Sequence, residues 1–373
     1  MQASWLPFYG SEDQAAFPRN PVDGASFRAR DFVSGCPGLP LVKVLLRGCG
    51  VVGSRAARQM LSVPGISSIV IDDPRSEQSS RVALALGPTA RVLEHNESWE
   101  LLGADVVVLA GPAQHFADAA AALRAGAHVV SVGDDLNDVE AMLELDVLAK
   151  QQDRVLIVGA GFAPGLTCIL SRHGAEELAV LEEVHVAKFG TAGPACARQH
   201  HSALKSWGRD WRDGSWVDVP GGSGRELCWF PDPIAGADCY RAALADPILL
   251  HQMFPQAKRV TSRMAATRRD RLTSRLPMLR KPHAEAGTGA IRVEVRGLRE
   301  GQFEVVVLGC IDRPSVAAAT VLALAVGEIS SGRHTTAGAS GLGPVVNTVD
   351  FLAELARRGV KCARFEGSPS HVR

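Results

Sequence analysis

The chemistry in this sequence is concentrated where Gly48-Cys49-Gly50-Val51-Val52-Gly53 follows the apolar run Val42–Arg47 and precedes a segment with helical spacing. Three glycines in this pattern suit a phosphate cradle. Gly48 permits a tight turn, Gly50 leaves room for a pyrophosphate against the backbone N–H groups of Val51 and Val52, and Gly53 lets helix and strand pack closely. The helix opening there adds partial positive charge. A dinucleotide site also needs an acidic residue about 20 positions on, at the end of the next strand, for the adenosine ribose. "SSIVIDD" puts Asp72 and Asp73 at that place. Either carboxylate suits a free 2′-hydroxyl, which favours NAD slightly; Arg75 and Ser76, just beyond, suit the 2′-phosphate of NADP. A third stretch, "VVVLAGPAQHF", brings Ala110, Gly111 and Pro112 to a strand end where they would flank the cofactor. The Cys49 thiol is given no role.

These residues need a scaffold of parallel strands. Short β-branched runs at Val42–Arg47, Ser68–Asp72, Arg91–Glu94, Asp105–Ala110, His128–Val132 and Arg154–Val158 alternate with helical patterns, notably Gly53–Leu61, His115–Ala125 and Asn137–Gln151. Strands apolar throughout are covered on both faces, so the pattern predicts an α/β, doubly wound Rossmann sheet. After about residue 180 the strands lengthen. "AIRVEVRGL" and "QFEVVVLGC" predict a hairpin over Arg299-Glu300-Gly301, and "DPILLHQMF" and "PSVAAATVLALAVGEI" predict helices. This half reads as a second, α+β domain with a mixed or antiparallel sheet. The expected divisions are an irregular arm (1–40), a dinucleotide domain (41–165), a substrate and dimerisation domain (166–335) and a C-terminal segment (336–373).

Composition narrows the partners. Forty basic side chains balance forty acidic ones, which predicts no nucleic-acid or anionic-membrane partner. No run of about 18 apolar residues predicts a membrane span, and the first forty residues hold no signal-like apolar segment. Eight cysteines without a Cys-x-x-Cys pair read as reduced thiols, so a cytoplasmic setting is expected.

Other residues hold two readings each. Asp134 and Asp135 follow a strand end, where Asp134 suits a substrate ammonium or a helix cap. In "KFGTAGPACARQHHSALK", Gly190, Gly193 and Pro194 form a loop able to close over a cofactor. His200 and His201 point about 100° apart on the helix that follows, so at most one serves a given ligand, as a proton donor. No third ligand stands at a telling spacing, and no metal is expected. Arg268, Arg269 and Arg271 suit substrate carboxylates or a solvated face.

The glycine fingerprint, the strand into Ala110-Gly111-Pro112 and above all Gly161-Phe162-Ala163-Pro164-Gly165-Leu166-Thr167 resemble the saccharopine dehydrogenase-like family. The likeness covers residues 42 to 175 well and continues more loosely through "GCIDRPSVAAATVLALA" and "FLAELARRGVKCARFEG". It implies a nicotinamide cofactor, hydride transfer to or from the carbon of a C–N bond, a homodimer through the second domain, and a C-terminal segment packed back on the first. The substrate it implies is a small amino-acid-like or polyamine-like molecule. Pro164, Gly165 and Thr167, at a helix start, then suit a substrate carboxylate or the nicotinamide amide. A transferase using NAD as an internal relay, of the homospermidine synthase type, and a silent NAD(P)H sensor remain as alternatives.

Overall fold

The computed structural model describes residues 2–5, 41–278, 282–283, 287–334 and 336–366. Strand β1 (Gln2–Trp5) comes first. Strands and helices then alternate through β2 (Val42–Arg47), α1 (Val51–Met60), β3 (Ile66–Asp72), α2 (Ser76–Leu86), β4 (Ala90–Val92), β5 (Val106–Leu109) and α3 (Phe116–Arg124). The series continues with β6 (His128–Ser131), α4 (Leu136–Leu143), α5 (Asp146–Gln151), β7 (Val155–Val158) and α6 (Leu166–Ala175). The order β4-β3-β2-β5-β6-β7, parallel at every pair, is the Rossmann arrangement. Every residue of β5 and β7 is buried, as Val, Ile and Leu allow when helices cover both faces. The alanines of α3 bring that helix close: Ala119, Ala120 and Ala122 are buried with Leu123. The expected helix over Asn137–Gln151 is two helices. No Gly or Pro marks the break, which turns Asp146 so that its carboxylate accepts from the Ala339 amide at 3.0 Å.

The second half adds β8 (Val180–Phe189), α7 (Pro194–Ala203), β9 (Trp207–Arg212), β10 (Ser215–Pro220), β11 (Glu226–Trp229), β12 (Gly236–Tyr240) and α8 (Asp246–Met253). It continues with β13 (Arg259–Ala265), α9 (Arg268–Thr273), β14 (Gly289–Arg299), β15 (Gln302–Asp312) and α10 (Pro314–Ser330). The chain closes through β16 (Gly338–Gly341), α11 (Leu342–Val345), α12 (Thr348–Arg357) and β17 (Cys362–Glu366). The second sheet runs β1-β17-β15-β14-β8-β13-β12-β11, with the β9–β10 hairpin joined through β13. Only the β8–β13 pair is parallel among the described strands, so the sheet is mixed. Arg299 faces Gln302 across the β14–β15 hairpin, leaving Glu300 and Gly301 at φ 50 and 80 in the tight turn.

Three expected divisions are redrawn. The 1–40 arm is not irregular throughout, because residues 2–5 pair with β17; residues 6–40 lie outside the described residues. Helix α10, assigned by sequence to the second domain, packs on α1 of the first. It is buried on nearly every side, as its lack of a polar face requires. The C-terminal segment divides as well: β16 extends the parallel sheet beside β7, while β17 joins β15 in the mixed sheet.

Candidate functional site

A cavity of about 980 Å³ opens at the C-terminal ends of β2 and β5, where the strand order reverses, and reaches across to β8 and α7. Its first end is the glycine loop. A side chain at Gly48, which has φ +95, would bring its Cβ within 2.5 Å of the Gly111 amide. One at Gly53 would stand 2.0 Å from the Gly48 carbonyl oxygen. These two glycines are therefore fixed by close packing. Gly50 and Gly111 differ: Gly111 has nothing within 4 Å of an added Cβ, and Gly50 only the Arg75 guanidinium at 3.9 Å. The bare backbone there faces open space beside the first turn of α1, which holds no acidic residue. A diphosphate fits that shape and polarity. Val51 and Val52 also line the cavity, whereas Gly53 is buried behind it.

The two candidate ribose carboxylates have separate surroundings. Asp73 accepts from the Cys49 amide at 2.8 Å and from Arg75 through both carboxylate oxygens. Burial works to raise its carboxyl, but Arg75 and the Cys49 amide outweigh it and bring it down to about 2. Asp72 is tied to Arg47 at 2.8 Å, and Arg47 also reaches Asp118 and lies over the Trp99 ring. Asp73 thus stands at the glycine loop, with the exposed Arg75 guanidinium paired to it. Ala110, Gly111 and Pro112 line the adjoining wall, where the Gly111 carbonyl meets His115 Nε2 at 3.1 Å. Burial pushes the Cys49 thiol up to about 12, which suits its lack of an assigned role.

The far end gathers charge. Lys188, at the end of β8 and 4% exposed, donates to the Ala163 carbonyl at 3.3 Å. Asp134 follows β6; it is Asp135, not Asp134, that caps α4, accepting from the Asn137 and Asp138 amides. Burial raises the Asp134 carboxyl, Asp135 and Asp246 add to the rise, and Lys188 opposes it. Helix α7 places Cys196 and His200 on one face, with Cys196 Sγ 3.5 Å from His200 Nε2 and Asp134 Oδ2 3.9 Å from that nitrogen. Burial, aided by Lys188, holds His200 well below its usual pKa and so neutral. Gln199 donates to Asp135 at 2.7 Å, fastening α7 to the start of α4. The loop before α7 does lie over the glycine cradle: a Cβ on Gly193 would meet the Val51 side chain at 3.2 Å.

Several expectations are corrected here. His201 turns away from the cavity and meets the Leu276 carbonyl at 2.9 Å, as the 100° step between neighbours on a helix requires. Thr167 is fully buried and donates to Asp246 at 2.7 Å, so it holds a neighbour rather than a ligand. Gly165, at φ +125, faces inward onto Gly161; only Pro164 of the three borders the cavity. Arg271 stacks on Tyr240, while Arg268 and Arg269 line a second hollow of about 1060 Å³ that meets the first at Gly190 and His200. Sequence reading missed Lys188, Cys196 and Asp246. A lysine within the apolar strand "VHVAKF" was the one local sign; the others come from separate elements. It also found no third metal ligand beside the histidines, yet the fold brings Asp134, Cys196 and His200 donor atoms within 4.8 Å of one another.

No family model matches the chain. Solved structures of similar arrangement include an amine dehydrogenase from Mycobacterium smegmatis at 12% identity, covering 82% of this chain and 96% of that one with a TM-score of 0.46. The DAP dehydrogenase of C. glutamicum in complex with DAP is 16% identical over 86% of this chain and 100% of its own, with a TM-score of 0.47. GenD2 from gentamicin A biosynthesis, in complex with NAD, is 14% identical over 92% and 100%, with a TM-score of 0.44.

Proposed function

We propose that this chain is an NAD(P)-dependent oxidoreductase moving a hydride to or from the carbon of a C–N bond in an amino-acid-like or polyamine-like substrate. The observation that carries the reading is the single cavity joining the glycine cradle and Asp73 to Lys188, Asp134 and His200. In this reading the pyrophosphate lies on Gly48 to Gly53, the ribose meets Asp73, and Ala110 to Pro112 flank the cofactor. NAD is favoured over NADP because Arg75 is occupied by Asp73. The bound nicotinamide supplies or takes the hydride; the protein must orient the partners and exclude water.

The far end supports the C–N reading. Two carboxylates, the partly exposed Asp134 and the buried Asp246, act on one ammonium, Lys188, so a substrate ammonium or iminium beside Asp134 adds positive charge where carboxylates outnumber it. Asp134, whose carboxyl burial raises, is the group suited to accept a hydrogen bond from that substrate nitrogen through one carboxylate oxygen. Arg268 and Arg269, on the hollow meeting the cavity at His200, suit substrate carboxylates. A homodimer, a kinship with saccharopine dehydrogenase-like enzymes and a cytoplasmic setting belong to the same proposal.

The test follows reduced-nicotinamide absorbance with panels of amino acids and polyamines plus NAD or NADP, and of oxo acids plus amines in the reverse direction. Asp134→Asn is expected to raise KM for the amine substrate by about tenfold or more, through loss of a charge-assisted hydrogen bond, while cofactor Kd stays within about twofold. Tight cofactor binding without turnover across the panel would leave a sensor instead. An Asp134→Asn variant with wild-type KM would remove the charge argument.

A further inference from the structure

We propose that Asp134, Cys196 and His200 form a zinc site with one coordination position open to the cavity. All three residues line that cavity, and their donor atoms lie within 4.8 Å of one another. A tetrahedral zinc ion bonded to sulfur at about 2.3 Å and to imidazole nitrogen at about 2.0 Å holds those two atoms about 3.5 Å apart. Cys196 Sγ and His200 Nε2 are separated by 3.5 Å. A thiol–imidazole hydrogen bond gives the same distance, so the third donor decides. Asp134 Oδ2 faces that same nitrogen at 3.9 Å, against about 3.3 Å around zinc, a gap that a small carboxylate rotation closes.

Two further features suit a built site. Cys196 and His200 share one face of a ten-residue helix, and Asp134 comes from the other sheet. The Gln199–Asp135 hydrogen bond of 2.7 Å joins the residues next to His200 and Asp134, so it holds the two ligand-bearing segments in register. On binding, the thiol proton leaves to solvent as the sulfur–metal bond forms, with no redox change. The open position faces the substrate end of the cavity; that clause rests on the oxidoreductase reading, whereas metal binding does not.

The full chain, stripped with chelator and dialysed against Zn²⁺, is expected to retain one zinc per chain by elemental analysis. Titration with Co²⁺ as the probe should give one equivalent with a thiolate-to-cobalt charge-transfer band that Zn²⁺ abolishes. Cys196→Ser should lose that band, and both Cys196→Ser and His200→Gln should weaken zinc binding by about 100-fold. NADH titration and circular dichroism on each variant report its fold independently. Wild-type protein with neither stoichiometric zinc nor a cobalt band overturns the site, as does a band surviving in Cys196→Ser. Zinc bound without nicotinamide affinity leaves the metal site standing and removes the cofactor reading; nicotinamide bound without zinc does the reverse.

Discussion

Replacing Gly50 with alanine separates the use of the glycine loop from its folding. Gly50 has φ −66 and ψ −161, a conformation open to any residue. An added Cβ meets only the end of Arg75 at 3.9 Å, so the free protein has no clash to relieve. Loss of glycine's unfolded-state freedom should stabilise the fold by about 0.4–1 kcal/mol. The same methyl stands where a diphosphate must approach the backbone. Forcing one methyl into a close contact costs about 1–3 kcal/mol, which is about 5- to 150-fold in Kd. Gly53→Ala is the contrast, since its Cβ would stand 2.0 Å from the Gly48 oxygen and 3.2 Å from the Ala110 Cβ. That variant should unfold at lower temperature before any ligand is added. Thermal melts with and without NADH, together with a fluorescence titration of NADH, read both effects. A folded Gly50→Ala protein with wild-type NADH affinity would show that no pyrophosphate rests on this loop.

Three further substitutions address the remaining assignments. Asp73→Ser should weaken NADH binding by about tenfold or more through loss of charge-assisted hydrogen bonds, while Asp72→Ser leaves Kd within about twofold; equal effects in calorimetry would refute the distinction. Burial raises the Asp246 carboxyl, with Lys188 and Thr167 opposing, so its folded pKa lies above the unfolded value of about 3.9. Its contribution to stability is then full below that pH and falls as pH rises through the folded value. Asp246→Asn should flatten the fall, seen as urea midpoints that change less between pH 4 and 8 than those of wild type; an unaltered slope would assign the titration elsewhere.

What could be read from the sequence was local. The cradle needs glycines, a strand and a helix within one βα unit, so its parts lie close in the chain and the periodicity reveals them. The choice between Asp72 and Asp73 was not visible. Adjacent residues at a strand end turn to different neighbours, here Arg47 and the Cys49 amide, and composition does not say which. Thr167 has the polarity of a binding residue, but only tertiary packing shows it buried against Asp246. Lys188, Asp134, Asp246 and Cys196 lie on β8, after β6, at the start of α8 and in α7. Their proximity depends on how two sheets meet, and no spacing encodes it.

Helix α10 has a consequence for how the molecule comes apart. It leaves the mixed sheet through β15, yet seats on α1, and Gly327 comes so near Val63, just past the end of α1, that an added Cβ would lie 3.3 Å from it. A fragment ending before Pro314 would leave that side of α1 without its cover, and the mixed sheet would lose the strand β17 that lies farther along the chain. The two sheets are therefore distinct in architecture but not autonomous in denaturation. Heating or urea should melt them in one shared transition, with dinucleotide capacity and far-ultraviolet ellipticity vanishing together.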